Sequence, residues 1–220
     1  MKTLCYIFGA GEESVPTAVP PRGEVFVIAA DGGYATAARL FGRPDLAVGD
    51  FDSLGYLPAD VPTVRHPAEK DDTDLALAAR EAVARGYRRL HIFSALGGRL
   101  DHTVANLQLL TALAGEGYEV TLFGADGTAV TALAGGKRAT FDGGFSGVLS
   151  VLAVGGPAGG ITLTGLKYPL ANATLLPTVP LGVSNEFLGG AATVTVETGT
   201  VLLFYKTENE RTPSVNSLEK

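Results

Sequence analysis

Val25-Phe26-Val27-Ile28-Ala29-Ala30 runs directly into Asp31-Gly32-Gly33 and then into Tyr34-Ala35-Thr36-Ala37-Ala38-Arg39-Leu40-Phe41. The first six residues are apolar without alternation, the pattern of a strand covered on both faces. Asp-Gly-Gly supplies a tight turn, and 34–41 reads as a helix. The same order recurs on either side. Apolar runs near 3–8, 46–49, 90–95 and 119–123 are interleaved with helical patterns near 73–86 and 102–114. Strand then helix, repeated, predicts an α/β domain with a mostly parallel sheet and right-handed crossovers.

The pattern changes near Ala134-Gly135-Gly136-Lys137. Beyond it there is no helical periodicity. Runs rich in Val, Thr and Leu at 147–154, 160–166, 191–197 and 200–205 are separated by Gly/Pro punctuation such as Gly155-Gly156-Pro157-Ala158-Gly159-Gly160. These predict a small all-β sandwich over 136–206, after an α/β domain over 1–135. About 70 residues is little for independent stability, so the β part is expected to lean on the first domain or on a second subunit. Residues 207–220 are polar and patternless and read as a disordered tail.

Composition narrows the function classes. The chain has 220 residues, 46% hydrophobic and 18% charged, which suits a packed core. The net charge of −6 comes without a dense Lys/Arg block, which argues against a nucleic-acid binder. One cysteine, Cys5, gives no internal disulfide framework and suits a reducing compartment. The apolar run before Gly9 is short for a signal peptide, and no stretch approaches the roughly 20 apolar residues that span a bilayer. The expectation is a soluble, cytoplasmic protein with no membrane partner.

The chemistry lies in the aspartates. The chain has eleven, and seven sit in four motifs: Asp31-Gly32-Gly33, Gly49-Asp50-Phe51-Asp52-Ser53, Lys70-Asp71-Asp72-Thr73-Asp74, and Gly97-Gly98-Arg99-Leu100-Asp101-His102. Three follow apolar runs and the fourth opens a helix. In a parallel sheet the carboxyl ends of the strands share one edge, where ligands bind. Two unit charges about 4 Å apart repel by roughly 4 kcal/mol at an effective dielectric of 20. Converging acids therefore hold protons or recruit a cation. Oxygen-only ligands favour a hard one such as magnesium, and one cysteine with three scattered histidines offers no zinc spacing.

Each motif also has a purely structural reading. Asp31 could cap helix 34–41. Asp71 could be the N-cap of helix 73–86 with Asp74 as its N3 acid. Asp101 could cap helix 102–114. Asp50 and Asp52, alternating about Phe51 in an extended segment, would share one side, a costly structural choice but a useful metal clamp. The Gly97-Gly98 loop would offer backbone N–H groups to an anion at a helix start, and Arg99 a bidentate phosphate contact. His102 and Asn106 share a helix face. His66 and His91, beside apolar residues, read as structural.

The motifs in this order resemble the thiamine pyrophosphokinases. The resemblance extends through Pro44-Asp45 and into the β half at Gly165-Leu166-Lys167-Tyr168-Pro169-Leu170 and Gly182-Val183-Ser184-Asn185-Glu186. The Tyr168-Pro169-Leu170 form looks bacterial. One departure is Ser94, where family members often carry Gly. The resemblance implies a homodimer and transfer of the pyrophosphoryl group of ATP to the hydroxyl of thiamine, with Mg2+, giving thiamine pyrophosphate and AMP. It implies metal ligands Asp50, Asp52, Asp71 and Asp74. Nucleotide contacts would come from Asp31, Gly32, Gly33, Lys70, Gly97, Gly98, Arg99, His102 and Asn106. Asp71, Arg99 and Asp101 would act in catalysis, and Tyr168, Ser184 and Asn185 would contact thiamine. The rival readings are another magnesium-dependent phosphohydrolase or pyrophosphokinase on the same acids, and a non-enzymatic sensor, which would need fewer carboxylates.

Overall fold

The computed structural model describes residues 4–52, 54–67 and 72–218. The calls on Ser53, Lys70 and Asp71 lie outside the described residues. The elements in order are β1 (Leu4–Phe8), β2 (Phe26–Ala30), α1 (Gly33–Phe41), β3 (Leu46–Gly49), β4 (Thr63–Arg65), α2 (Asp74–Ala84), β5 (Arg89–Phe93), α3 (Leu100–Gly115), β6 (Glu119–Phe123), β7 (Thr128–Ala134), β8 (Lys137–Phe141), β9 (Val148–Thr164), β10 (Leu170–Leu175), β11 (Asn185–Glu186), β12 (Ala192–Val196), β13 (Thr198–Lys206) and β14 (Ser214–Ser217).

The chain divides into two compact units. One comprises Met1–Leu109 with Leu122–Asp126, the other Leu110–Thr121 with Gly127–Lys220. A single cut at 136 does not describe this division. The Gly135-Gly136 turn joins β7 to β8, which pair with different strands, β7 with β13 and β8 with β12 and β14. β7 belongs to the second unit, where it pairs antiparallel with β13.

In the first unit, β1 pairs in parallel with β2 and β5, β2 with β3, and β3 with β4. From Cys5 to Phe8 and from Val27 to Ala30 every residue is buried, as continuous apolar runs dictate. The ring of Phe93 stacks on Phe8 at 5.2 Å and on Phe123 at 5.1 Å between centroids. His91 is buried against Tyr6, 5.7 Å away and near-parallel, and against the edge of Phe123. Its structural reading fits that packing. Parallel register brings Phe8, Ala30, Gly49 and Phe93 to one sheet edge, so the loops after β1, β2, β3 and β5 open together.

The second unit pairs antiparallel: β13 with β7 and β9, β12 with β8 and β9, and β10 with β9. The fold thus contains a large mixed sheet with few helices, its pairings parallel among β1–β5 and antiparallel among β7–β14. After α3 the chain carries no further helix among the described residues. Without crossover helices the strands pair antiparallel. The Gly155–Gly160 punctuation does not break a strand. It lies inside β9, where Gly155 (φ 73°) and Gly160 (φ 66°) bend the chain. The first part of β9 pairs with β13 and the last part with β12 and β10. Glycine reaches positive φ without steric penalty, so the strand turns a corner instead of ending.

The tail reading also fails. β14 adds to the edge of β8. Arg211 reaches Asp142 at 2.5 Å and lies 5.3 Å from the centre of the Phe145 ring. An ion pair, a cation–π contact and strand pairing together hold residues that lack any hydrophobic pattern of their own.

Candidate active site

Two strand ends and a helix start build an acidic corner in the first unit. Asp31 follows β2 in a left-handed conformation (φ 44°). Its N–H donates to Val48 O at 2.8 Å and its carbonyl accepts from Tyr34 N at 3.0 Å. The backbone starts α1; the side chain does not cap it, and the N-cap residue is Gly32. Gly33 opens α1 so close to β1 that an added Cβ would collide with the Phe8 carbonyl. The Asp31 side chain is thereby aimed inward. It is 7% exposed, and Oδ1 is buried without a hydrogen-bond partner among the described residues.

Carboxylate oxygens of Asp31, Asp50 and Asp74 lie within 4.8 Å of one another. Asp74 is the first residue of α2. The N-cap is Thr73, whose Oγ1 accepts from Ala76 N at 3.2 Å. This corrects the capping assignment to Asp71 and places Asp74 at the first helical position instead of N3. The extended reading of Asp50-Phe51-Asp52 is corrected too. β3 ends at Gly49, and Phe51 adopts φ 64° with its ring buried. Asp52 N instead donates to Asp50 Oδ1 at 3.2 Å. Asp52 is exposed and outside the triad, although it lines the same cleft. Asp31, a residue expected to contact nucleotide, thus stands with Asp50 and Asp74, and Asp52 lines the cleft beside them.

That donor set suits a hard divalent cation. It is all oxygen, short-armed, like-charged and partly buried, and a buried acceptor without a partner is a strong demand for a ligand.

The acids face a cleft of about 810 Å3 whose far side is the loop after β5. Gly97 (φ 82°) and Gly98 (φ 64°) lead into α3. A Cβ on Gly97 would run into the Glu12 carboxylate. Arg99 donates to Asp101 through Nε at 3.2 Å and Nη2 at 2.6 Å. These bonds hold the Asp101 carboxyl below its ordinary range and raise the guanidinium. Asp101 sits inside the first turn of α3, since Thr103 N already donates to Arg99 O, so it is not the N-cap. His102 lines the cleft and is exposed; Asn106 is buried and donates from Nδ2 to Ala95 O at 2.8 Å, bracing the loop. Ser94 stands in the left-handed region (φ 55°), which explains why glycine would be favoured there. Ser14 holds it: Ser94 N donates to Ser14 Oγ at 2.6 Å, and Ser14 N donates to Ser94 Oγ at 3.0 Å.

The sequence reading missed Gly9-Ala10-Gly11-Glu12, which also lines the cleft. The signal was present, a Gly-rich turn directly after an apolar run, as at Asp31-Gly32-Gly33. The residues expected to contact thiamine gather in the second unit. Asn185 is buried; Oδ1 accepts from Tyr168 N at 2.9 Å and Nδ2 donates to Tyr168 O at 2.7 Å. It positions Tyr168, whose ring is exposed beside Lys167. Ser184 has φ 59° and its N–H donates to Ser150 Oγ at 3.1 Å.

Residues 22–122 match the family model "Thiamin pyrophosphokinase, catalytic domain", and residues 140–203 match "Thiamin pyrophosphokinase, vitamin B1 binding domain". The chain is 27% identical over 215 residues to the thiamine pyrophosphokinase of Bacillus subtilis, covering 94% of this chain and 100% of that one. Among solved structures, the thiamin pyrophosphokinase family protein of Enterococcus faecalis is similar at TM-score 0.76 and 27% identity, over 94% of this chain and 100% of that one. The thiamin pyrophosphokinase of Geobacillus thermodenitrificans is similar at TM-score 0.73 and 28% identity, over 94% and 99%. With both of its regions matched in order by models of one enzyme family, the chain belongs to the thiamin pyrophosphokinases.

Proposed function

We infer that the protein transfers the pyrophosphoryl group of ATP to the hydroxyl of thiamine, giving thiamine pyrophosphate and AMP. The observation that carries this reading is the buried, unpartnered Asp31 Oδ1, close to Asp50 and Asp74 at one side of a cleft whose other side is a Gly-Gly-Arg loop. Transfer of a pyrophosphoryl group from ATP to an alcohol needs positioning and charge neutralisation more than a covalent intermediate.

Asp31, Asp50 and Asp74 would hold Mg2+, with Asp52 at the margin; the ion supplies neutralising charge to the phosphate oxygens. The N–H groups of the Gly97-Gly98 turn and the start of α3 would bind the terminal phosphate, with Arg99 exchanging Asp101 for it. Asp101 then holds Arg99 in place between turnovers. The thiamine hydroxyl attacks the β-phosphorus, its proton passes to a nearby carboxylate, and the bond to the AMP oxygen breaks. Asp71 remains the candidate for that carboxylate. Gly32 and Gly33 would let the chain approach the phosphates, and Lys70, His102 and Asn106 would complete the nucleotide side. Tyr168 would stack on the flat thiamine cation, positioned by Asn185, with Ser184 beside it.

A homodimer suits the exposed apolar side chains of the second unit, among them Leu176, Val179, Leu181, Val183 and Leu188. The dependence on ATP and the single buried thiol of Cys5 suit the cytoplasm. No helix among the described residues is long and apolar enough to cross a membrane.

Phosphorus NMR of the protein with magnesium, ATP and thiamine tests the reaction. AMP and thiamine pyrophosphate should appear in equal amounts. ADP formation, or AMP release indifferent to thiamine, would contradict it and favour another phosphohydrolase or pyrophosphokinase.

A further inference from the structure

The turn after β1 is fastened to the end of β5 along its whole length. Gly9 N donates to Phe93 O at 2.9 Å and Gly11 N to Ser94 O at 3.0 Å, and a Cβ on either glycine would collide with the Ser94 carbonyl. The segment 9–14 then closes on a pair of buried serines. Ser14 Oγ accepts from Ser94 N at 2.6 Å and donates to Phe123 O at 2.7 Å. Ser94 Oγ accepts from Ser14 N at 3.0 Å and donates to Ser14 O at 3.3 Å. Each hydroxyl thus has both a donor and an acceptor partner. Ser94 is left-handed at φ 55°, a conformation unfavourable for any residue with a Cβ. On its other side the segment is tied to α1, because Glu13 Oε2 accepts from Thr36 Oγ1 at 3.2 Å and from Arg39 Nη2 at 2.7 Å. It therefore reaches from the Gly-Gly-Arg loop to the helix that follows Asp31.

We propose that Ser14 and Ser94 are positioning residues for the transfer reaction, their paired hydroxyls locking segment 9–14 to the end of β5 and so holding the Gly97-Gly98-Arg99 loop at a fixed distance from Asp31, Asp50 and Asp74. The proposal rests on reading that loop as the terminal-phosphate site. Ser94 borders the cleft, but its hydroxyl is fully engaged by Ser14, so it acts through the loop and not on the substrate. The next residue, Ala95, is braced separately by Asn106, which leaves the serine pair to set the turn itself. Glycine at 94 would reach the same φ without strain, but it would leave the buried Ser14 N–H and carbonyl without these partners. Alanine would keep the strain and lose the lock. Serine gives up the freedom of glycine and gains a turn held in one conformation, which preorganises the loop for an arriving phosphate.

Calorimetric titration of the full chain with magnesium tripolyphosphate reads the loop, and electron paramagnetic resonance titration with Mn2+ reads the acidic corner, both well below each variant's melting temperature. Ser94→Ala should weaken tripolyphosphate about tenfold, and Ser94→Gly, relieved of strain, about threefold. KM for ATP should rise in the same order, KM for thiamine should not follow, and Mn2+ affinity should stay at the wild-type value. Combining Ser14→Ala with Ser94→Ala should lose little more than Ser94→Ala alone, because the two hydroxyls act as one unit. Wild-type tripolyphosphate affinity in Ser94→Ala, or in Ser94→Gly if the alanine variant does not fold, would overturn the proposal. Losses that multiply in the double variant, or an equal weakening of Mn2+, would also overturn it. If the wild-type chain binds tripolyphosphate but makes no thiamine pyrophosphate, the reaction assignment fails and the tripolyphosphate affinities still decide the lock.

Discussion

The two sides of the cleft handle charge in opposite ways. At the acidic corner, Asp31 is 7% exposed, fixed by backbone hydrogen bonds on both sides, and close to two like charges. At the Gly-Gly-Arg loop, Arg99 and Asp101 are mostly exposed and neutralise each other. The position of Asp31 is fixed by the fold, through backbone hydrogen bonds to Val48 and Tyr34. The loop stores little energy, since solvent and salt screen an exposed ion pair. An arriving phosphate can therefore take Arg99 from Asp101 cheaply, whereas the buried Asp31 Oδ1 is held in place by the fold. The corner is preorganised and the loop is exchangeable.

Substitutions should separate these two behaviours. Asp31→Asn should lower turnover by roughly 100- to 1,000-fold, while thermal melting shows a fold as stable as the parent or more so, because one repulsive charge is gone. A large loss of melting temperature would mean that Asp31 is a structural acid. The next effect concerns the strand beneath the loop. Burial, with a smaller contribution from Arg89, pushes the His91 imidazole down from 6.5 to about 4. The folded chain keeps the ring neutral where the unfolded chain protonates it. Stability should fall as pH drops from 6.5 toward 4, by up to about 3 kcal/mol, and this contribution should level off below. Acid denaturation midpoints of His91→Phe should show that dependence reduced; an unchanged profile would mean that the ring is solvated. Arg99→Lys should lower kcat/KM by about tenfold through loss of bidentate contact. Near-normal kinetics would show that the loop needs only a point charge. The smallest change is expected for Asp52→Asn, a loss of less than about tenfold because Asp52 lies outside the triad. A loss equal to that of Asp50→Asn would put Asp52 back among the ligands.

The first unit was legible where hydrophobic burial decides structure. The runs at 25–30 and 46–49 have no polar interruption, so strand, burial and strand-end position followed together. The acidic site was legible as a group of aspartates but not in its membership. Asp50 and Asp52 alternate on paper, but Phe51 turns left-handed to bury its ring, and that tertiary choice takes Asp52 out of the triad. Asp31 was read as a cap or a phosphate contact because the short motif does not reveal that Gly33 must press against Phe8. Thr73 rather than Asp71 caps α2, a competition that two adequate capping residues leave open. In the second unit the difficulty was glycine. The same residues that end strands elsewhere bend β9 through a corner. The segment 211–217 is ordered by partners far away in sequence, Asp142, Phe145 and β8, which no local pattern reports.

The central claim is that Asp31, Asp50 and Asp74 hold one divalent cation together. Electron paramagnetic resonance titration of Mn2+, as a stand-in for Mg2+, into the wild-type chain and Asp31→Asn tests it most directly. The account predicts a bound Mn2+ in the wild type that Mg2+ displaces, and an affinity at least about tenfold weaker in Asp31→Asn. Equal affinity in the two proteins would contradict it.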